Sequence, residues 1–234
     1  MPWVFILGLE ASPLPYSQHN LFMELFIKII LSYLLGSISG SMLLGKFKGI
    51  DIRKMGSGNA GGTNAFRTMG GVFALGVFSI DVLKGFISVK FLPFINLGSN
   101  LSIDMIELTI FCGISAVIGH VYPIYYGFKG GKGAGPLLGI LLALFPSFLI
   151  IGLPIWLIVL ILSGYVGLST IIAGIALPIC TSIFYTDGIY SQFGFFSVMV
   201  AIFISYTHRS NIHRMIEGNE NQFKKIMIFR KVQD

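Results

Sequence analysis

Apolar side chains fill long continuous stretches of this chain, and polar ones gather between them in short, basic, glycine-rich segments. Residues 24–44, 71–93 and 106–124 are apolar runs near the ~20 residues that a helix needs to cross a bilayer. They lack the period-2 alternation of barrel strands, and a backbone in lipid must satisfy its own hydrogen bonds, so each run predicts a helix. A further span falls at 190–207.

Charge then orients the spans. Lys46, Lys48, Arg53 and Lys54 follow the first span, and Lys129 and Lys132 follow the third. The tail from His208 carries Arg209, Arg214, Lys224, Lys225, Arg230 and Lys231, whereas Asp104 and Glu107 mark the stretch from the end of the second span into the start of the third. Excess Lys and Arg marks the cytoplasmic side, which places the N-terminus outside and the C-terminus inside. Parity requires one or three spans in the block 136–183. Pro146, Gly152, Pro154 and Ser163-Gly164-Tyr165 interrupt it, predicting spans at 136–150, 153–164 and 167–184, with 163–169 on the cytoplasmic side. The expected fold is all-α: a polytopic bundle of seven transmembrane helices, or five if the middle block crosses once.

Composition supports this class. The 234 residues are 54% hydrophobic and 11% charged, against about 25% charged for a soluble domain, and mean hydropathy is +0.83. Cys112 and Cys180 sit inside apolar runs and read as plain buried thiols, so no metal site or disulfide framework is expected. Residues 1–22 lack the basic start of a signal peptide; they read either as an external extension or as sequence ahead of a start at Met23. Residues 23–220 form the membrane body and 221–234 a basic cytoplasmic tail. The charges from Arg214 onward read as an amphipathic tail on an anionic leaflet.

Three cytoplasmic segments carry candidate chemistry. Gly56-Ser57-Gly58-Asn59-Ala60-Gly61 satisfies GxGxxG, but flanking membrane helices exclude the strand–turn–helix setting of a dinucleotide site. Its glycines still suit an anion-binding nest, with Arg53, Lys54 and Arg67 as cations and Ser57, Asn59, Thr63 and Asn64 as neutral donors. A second loop ends in Phe128-Lys129-Gly-Gly-Lys132-Gly133, where lysines precede a helix start that favours phosphate. His120 before it reads as a structural histidine. In the third segment His208 and Asn211 are three apart, on one face of a helix, so an imidazole stands beside an amide. Asp81 and Lys84 share a face of the second span and read as a pair. Many phosphate donors, few carboxylates and no metal constellation imply a phosphorylated ligand, with more than one phosphate.

In Gly36-Ser37-Ile38 through Asp51-Ile52-Arg53, Gly56-Ser57-Gly58-Asn59 and Thr63-Asn64, then Gly119-His120 with Phe128–Gly133, then His208-Arg209-x-Asn211-Ile212 with Gly218 and Glu220, the chain resembles a known family. It is similar, over about residues 24–220, to the bacterial acyl-phosphate:glycerol-3-phosphate acyltransferases; Asp81-x-x-Lys84-Gly85 also fits. The resemblance implies a multi-pass protein of the bacterial inner membrane with its active site facing the cytoplasm. It implies transfer of an acyl chain from acyl phosphate to the sn-1 hydroxyl of glycerol 3-phosphate, without coenzyme A, carrier protein, metal or other cofactor. Ser57, Gly58, Asn59, Gly61, Thr63 and Asn64 would bind acyl phosphate. Lys132, His208 and Asn211 would form the catalytic group and hold glycerol 3-phosphate, assisted by Arg53. Expected partners are the two substrates, membrane lipids and an acyl-phosphate-producing enzyme, and no nucleic acid.

The chain departs from the family pattern at four places. Ser39 stands for Pro, Gly62 for Ala, Ala134-Gly135-Pro136 for a Val-Ala-Thr run, and Gly164-Tyr165-Val166-Gly167-Leu168 for Arg-Tyr-x-Ser-Leu. The last departure removes a serine expected to touch substrate, unless Ser163 or Ser169 substitutes. A transporter or channel for a phosphorylated solute, or an inactive lipid-phosphate-binding relative, are the competing readings. The first would need a polar pathway at mid-membrane depth, where only Asp81 and Lys84 are available.

Overall fold

The computed structural model describes residues 16–98, 103–224 and 226–228, and its regular structure is helical throughout. Helix α1 (Tyr16–Gly36) and α2 (Gly40–Phe47) are followed by α3 (Gly62–Met69), α4 (Gly71–Lys90) and α5 (Met105–Val121). Then come α6 (Ala134–Leu144), α7 (Pro146–Ser163), α8 (Val166–Phe184), α9 (Gln192–Thr207) and α10 (Arg209–Ile216). Helix α1 runs through residue 22, so the expected boundary at 22/23 lies inside a helix. The readings made for residues 1–15, and those for Lys225, Arg230 and Lys231, fall outside the described residues.

Among the described residues, four apolar helical stretches are long enough to cross a membrane: Gly71–Phe94, Met105–Tyr126, Pro146–Ser163 and Val166–Phe184. The run expected at 24–44 is not one straight span. It breaks between Gly36 and Gly40 and bends by 48°, making a fifth crossing if the pair counts as one. Ser39 caps the new helix, its hydroxyl accepting from the Met42 amide.

The middle block also differs from expectation. Its break falls at Phe145 rather than near residue 151, because Pro146 takes the first position of α7 and disfavours helical backbone at the residue before it. Pro154 stays inside α7 without ending it. The 11 residues of α6 thus span only about 16 Å, roughly half the hydrocarbon thickness.

Small residues let the helices approach closely where no hydrophobic gradient drives them together. A side chain on Gly36 would strike the Ala116 backbone, and one on Gly119 the Tyr33 carbonyl, which fixes α1 against α5. Gly85 and Gly139 do the same for α4 and α6, against Pro136 and Val82. Around this contact Val89, Ile110, Ile140, Leu177, Phe196 and Ile204 form the buried core. Helix α7 leaves Ile150, Leu157, Ile158 and Leu162 exposed, as suits a lipid-facing helix.

Two polar knots lie inside the bundle. Lys28 pairs with Glu24 at 2.6 Å and donates to the Pro93 carbonyl. Lys84 pairs with Asp81 at 3.1 Å, as the sequence suggested, and also reaches His120 Nδ1 (2.8 Å) and the Ile38 carbonyl (2.6 Å). The Gly40 amide donates to Asp81, so this knot holds the broken first span at its break.

Candidate active site

The first glycine loop is folded around Asn64. Its carboxamide oxygen accepts from the Ser57 amide (2.9 Å), and its nitrogen donates to the carbonyls of Ile52 and Met55. Gly56 and Gly58 take positive φ, 56° and 73°, a region glycine enters without strain, and this lets the loop wrap the Asn64 carboxamide. Helix α3 starts at Gly62, so Thr63 lies in its first turn.

The second loop is fastened at both ends. The amides of Gly130 and Gly131 donate to the carbonyls of Val121 and His120, folding the loop back on the end of α5. Gly131 lies flat on the His120 ring, where any side chain would collide with Nε2. Thr207 at the end of α9 donates to the Lys132 carbonyl (2.9 Å). These contacts fix the Lys132 backbone between α5 and α9, and Gly133 (φ 90°) turns the chain into α6.

Lys132 Nζ donates to the Asn211 carboxamide oxygen and to Ser210 Oγ at 3.2 Å. Asn211 Nδ2 donates to Glu220 (3.0 Å), whose other oxygen accepts from Arg214 Nε at 2.6 Å. Burial, together with the nearby Arg214 charge, pulls the Lys132 ammonium down to about 8. His208 is buried and pulled down to about 4, so it is neutral at physiological pH. Its Nδ1 lies 2.9 Å from the Ile204 carbonyl; the neutral ring therefore carries its proton there and keeps Nε2 as an acceptor.

A single cavity of about 680 Å³ joins these groups. Its polar end holds Ser57, Asn59, Gly61, Thr63 and Asn64 from the first loop, with Lys132, His208 and Asn211 from the other two. Its other end is an apolar trough between α4, α6, α7 and α8, walled by Phe78, Leu138, Leu149, Leu153, Trp156 and Leu177. Three cations (Arg67, Lys132, Arg214) and two carboxylates (Asp81 and Glu220) line the cavity. Asp81 is paired with Lys84 behind the wall, which leaves an excess of positive charge suited to a phosphate. An amphiphile with an anionic head and a long acyl tail matches both ends.

Arg53 and Gly58 are not in this cavity. They line a separate cleft of about 490 Å³ with Tyr126 and Lys129. Arg53 forks onto Asp51 (Nη2–Oδ2 2.9 Å) and donates to the Tyr126 carbonyl (2.8 Å), so it ties the first loop to the second. The Arg53 guanidinium holds the Asp51 carboxyl below its ordinary value.

Sequence reasoning assigned Arg214 to a leaflet-bound tail; the structure turns it inward to Glu220, because α10 ends at Ile216 and the chain folds back. Glu220, noted only as part of a motif, closes this network. The suggestion that Ser163 or Ser169 replaces the missing serine fails: their hydroxyls bond the carbonyls of Val159 and Tyr165, and neither lines the cavity. Gly167 does line it, directly against Asn211.

A helical membrane protein with an amphiphile-shaped cavity and a phosphate-ready polar end is the class that fold and site define. The sequence model of the family described as Glycerol-3-phosphate acyltransferase matches residues 26–218, and the chain belongs to that family. It is 38% identical to a glycerol-3-phosphate acyltransferase of Chlorobium phaeobacteroides (strain DSM 266), over 84% of this chain and 95% of that protein. The corresponding protein of Aquifex aeolicus (strain VF5) is 37% identical, over 86% and 100%. The crystal structure of PlsY (YgiH), an integral membrane glycerol 3-phosphate acyltransferase, in its glycerol 3-phosphate form superposes with a TM-score of 0.71 at 35% identity. That match covers 85% of this chain and 95% of PlsY; the lysophosphatidic acid form gives 0.69.

Proposed function

We propose that this protein transfers a fatty acyl chain from acyl phosphate to the sn-1 hydroxyl of glycerol 3-phosphate, releasing lysophosphatidic acid and phosphate. The observation that carries the reading is the single cavity that joins a long apolar trough to Lys132, His208 and Asn211. The acyl chain lies in the trough, its phosphate on the Ser57–Asn64 loop. Glycerol 3-phosphate enters the polar end, its dianion on Lys132 with Arg67 and Arg214 beside it.

Acyl phosphate is an activated mixed anhydride, so positioning and charge stabilisation suffice. The hydroxyl oxygen attacks the acyl carbon, the carbon–oxygen bond to phosphate breaks, and phosphate departs with the bonding pair. A His208 with its value near 4 is a weaker base than a phosphate oxygen, whose second pKa is about 6. The hydroxyl proton therefore goes to the departing phosphate, while His208 Nε2 accepts from the neighbouring sn-2 hydroxyl and so orients the acceptor. Lys132 balances the growing charge. In the membrane the chain takes seven crossings, with the N-terminus outside, the loops and C-terminus cytoplasmic, and a cytosolic enzyme delivering acyl phosphate.

The donor is tested by supplying glycerol 3-phosphate with either palmitoyl phosphate or palmitoyl coenzyme A. Lysophosphatidic acid from the first and none from the second is expected; product from the thioester alone overturns the assignment.

A further inference from the structure

Beyond Glu220 the chain crosses back over the polar end of the cavity. The Phe223 amide donates to the Gly164 carbonyl (2.8 Å), Gln222 Nε2 to the Ser163 carbonyl (3.2 Å), and the Ile228 amide to the Ile161 carbonyl (3.3 Å). These bonds fasten the segment to the turn between α7 and α8. On the far side Arg67 of α3 donates to the Asn221 carbonyl (3.1 Å), and its guanidinium lies 4.8 Å from the Phe223 ring centroid. Phe66, one residue earlier, has its ring 5.8 Å from the same ring.

The strap thus joins two elements on opposite sides of the site, and Phe223 and Ile226 line the cavity from above. Gly164 is fitted to it: φ is +73°, and a side chain there would meet Met227 Sδ at 2.8 Å and Gln222 Cβ at 3.4 Å. The family match ends at residue 218, before this segment begins. Its anchors are single hydrogen bonds, one cation–aromatic contact and one ring–ring contact, each weak by itself, and so suited to opening for a substrate and closing over it.

We propose that residues 221–224 and 226–228, with Phe223 at their centre, complete the acceptor end of the site and keep water from the mixed anhydride. The proposal rests on the acyl-transfer reading. When water takes the place of the glycerol hydroxyl, its oxygen attacks the acyl carbon and the bond to phosphate breaks. Fatty acid and phosphate then form, with no lysophosphatidic acid. A closed cover makes phosphate and lysophosphatidic acid in equal amounts, whereas an open one makes excess phosphate.

The test measures phosphate released per lysophosphatidic acid in the unmodified chain, in Phe223→Ala and in a chain lacking residues 222–234, which keeps Glu220. A several-fold rise in that ratio, with a higher KM for glycerol 3-phosphate, is expected in both variants. Trypsin cleavage after the exposed Lys224 of the unmodified chain is followed in parallel, and glycerol 3-phosphate should slow it. An unchanged ratio in monodisperse variants, or cleavage indifferent to glycerol 3-phosphate, overturns the cover. Absence of lysophosphatidic acid from the unmodified chain counts instead against acyl transfer, and the cleavage experiment then judges the cover by itself.

Discussion

Gly167 lies against Asn211 so closely that a Cβ added to it would stand 2.8 Å from the Asn211 Cγ and 2.9 Å from Nδ2. Asn211 has no slack to move away, because Lys132 holds its oxygen and Glu220 its nitrogen. The glycine at this departure from the family pattern is therefore matched to the amide beside it.

Gly167→Ala should push Asn211 off Lys132 and raise KM for glycerol 3-phosphate, by about tenfold if the displaced contact is worth ~1.4 kcal/mol. KM for acyl phosphate should change less. Steady-state kinetics with each substrate varied in turn checks this, and equal effects on both constants would count against the assignment of the two ends.

Lys132 gives the site its pH dependence. Burial beside Arg214 brings it to about 8, so it is cationic below that value and neutral above. A dianion binds the cation, so kcat/KM for glycerol 3-phosphate should fall as pH rises through about 8. Lys132→Arg keeps its charge at every accessible pH and should flatten this limb, at a reduced rate because the guanidinium does not fit the same space. A wild-type profile flat across that range would contradict the geometry.

His208 governs the acid side of stability. Its folded value of about 4 is below the ordinary 6.5, so between them the unfolded chain binds the extra proton. Its contribution is complete above about 6.5 and is lost as pH falls through about 4. Thermal unfolding in detergent across that window should show a shallower acid dependence in His208→Gln than in the unmodified chain.

The Asp81–Lys84–His120 knot should matter for folding more than for chemistry. Removing one partner leaves an unpaired buried charge at a cost of about 3–5 kcal/mol, so Asp81→Ala and Lys84→Ala should each lower the melting temperature markedly. Asp81→Leu with Lys84→Met should unfold at a higher temperature than either single variant. Differential scanning fluorimetry of the three would check the order.

Much of this was legible in the chain. Continuous apolar runs located the helices, since lipid leaves the backbone no other way to satisfy itself, and the glycine, lysine and histidine segments identified groups that now share one cavity. Phe145 was not legible as a break, because Pro146, Gly152 and Pro154 each offer one and tertiary packing chooses among them. The bend at Ser37–Ser39 depends on Asp81 and Lys84 reaching a carbonyl and an amide far along the chain. That Arg53 reaches the Tyr126 carbonyl and lines a cleft apart from the main cavity carries no local signal in the sequence. Arg214 and the strap depend on the chain reversing after α10, and no local pattern announces contacts from Phe223 to Gly164 or from Arg67 to Asn221.

The central claim is that Lys132 and His208 hold the acceptor at the polar end of one amphiphile-binding cavity. The most direct measurement is lysophosphatidic acid formation by purified protein in lipid mesophase from palmitoyl phosphate and glycerol 3-phosphate, beside Lys132→Ala and His208→Ala. The account predicts product from the unmodified chain and a loss on the order of 10²–10³ in each variant, as for removal of a charge-stabilising donor. Full activity in either folded variant, or no product from the unmodified chain, would contradict it.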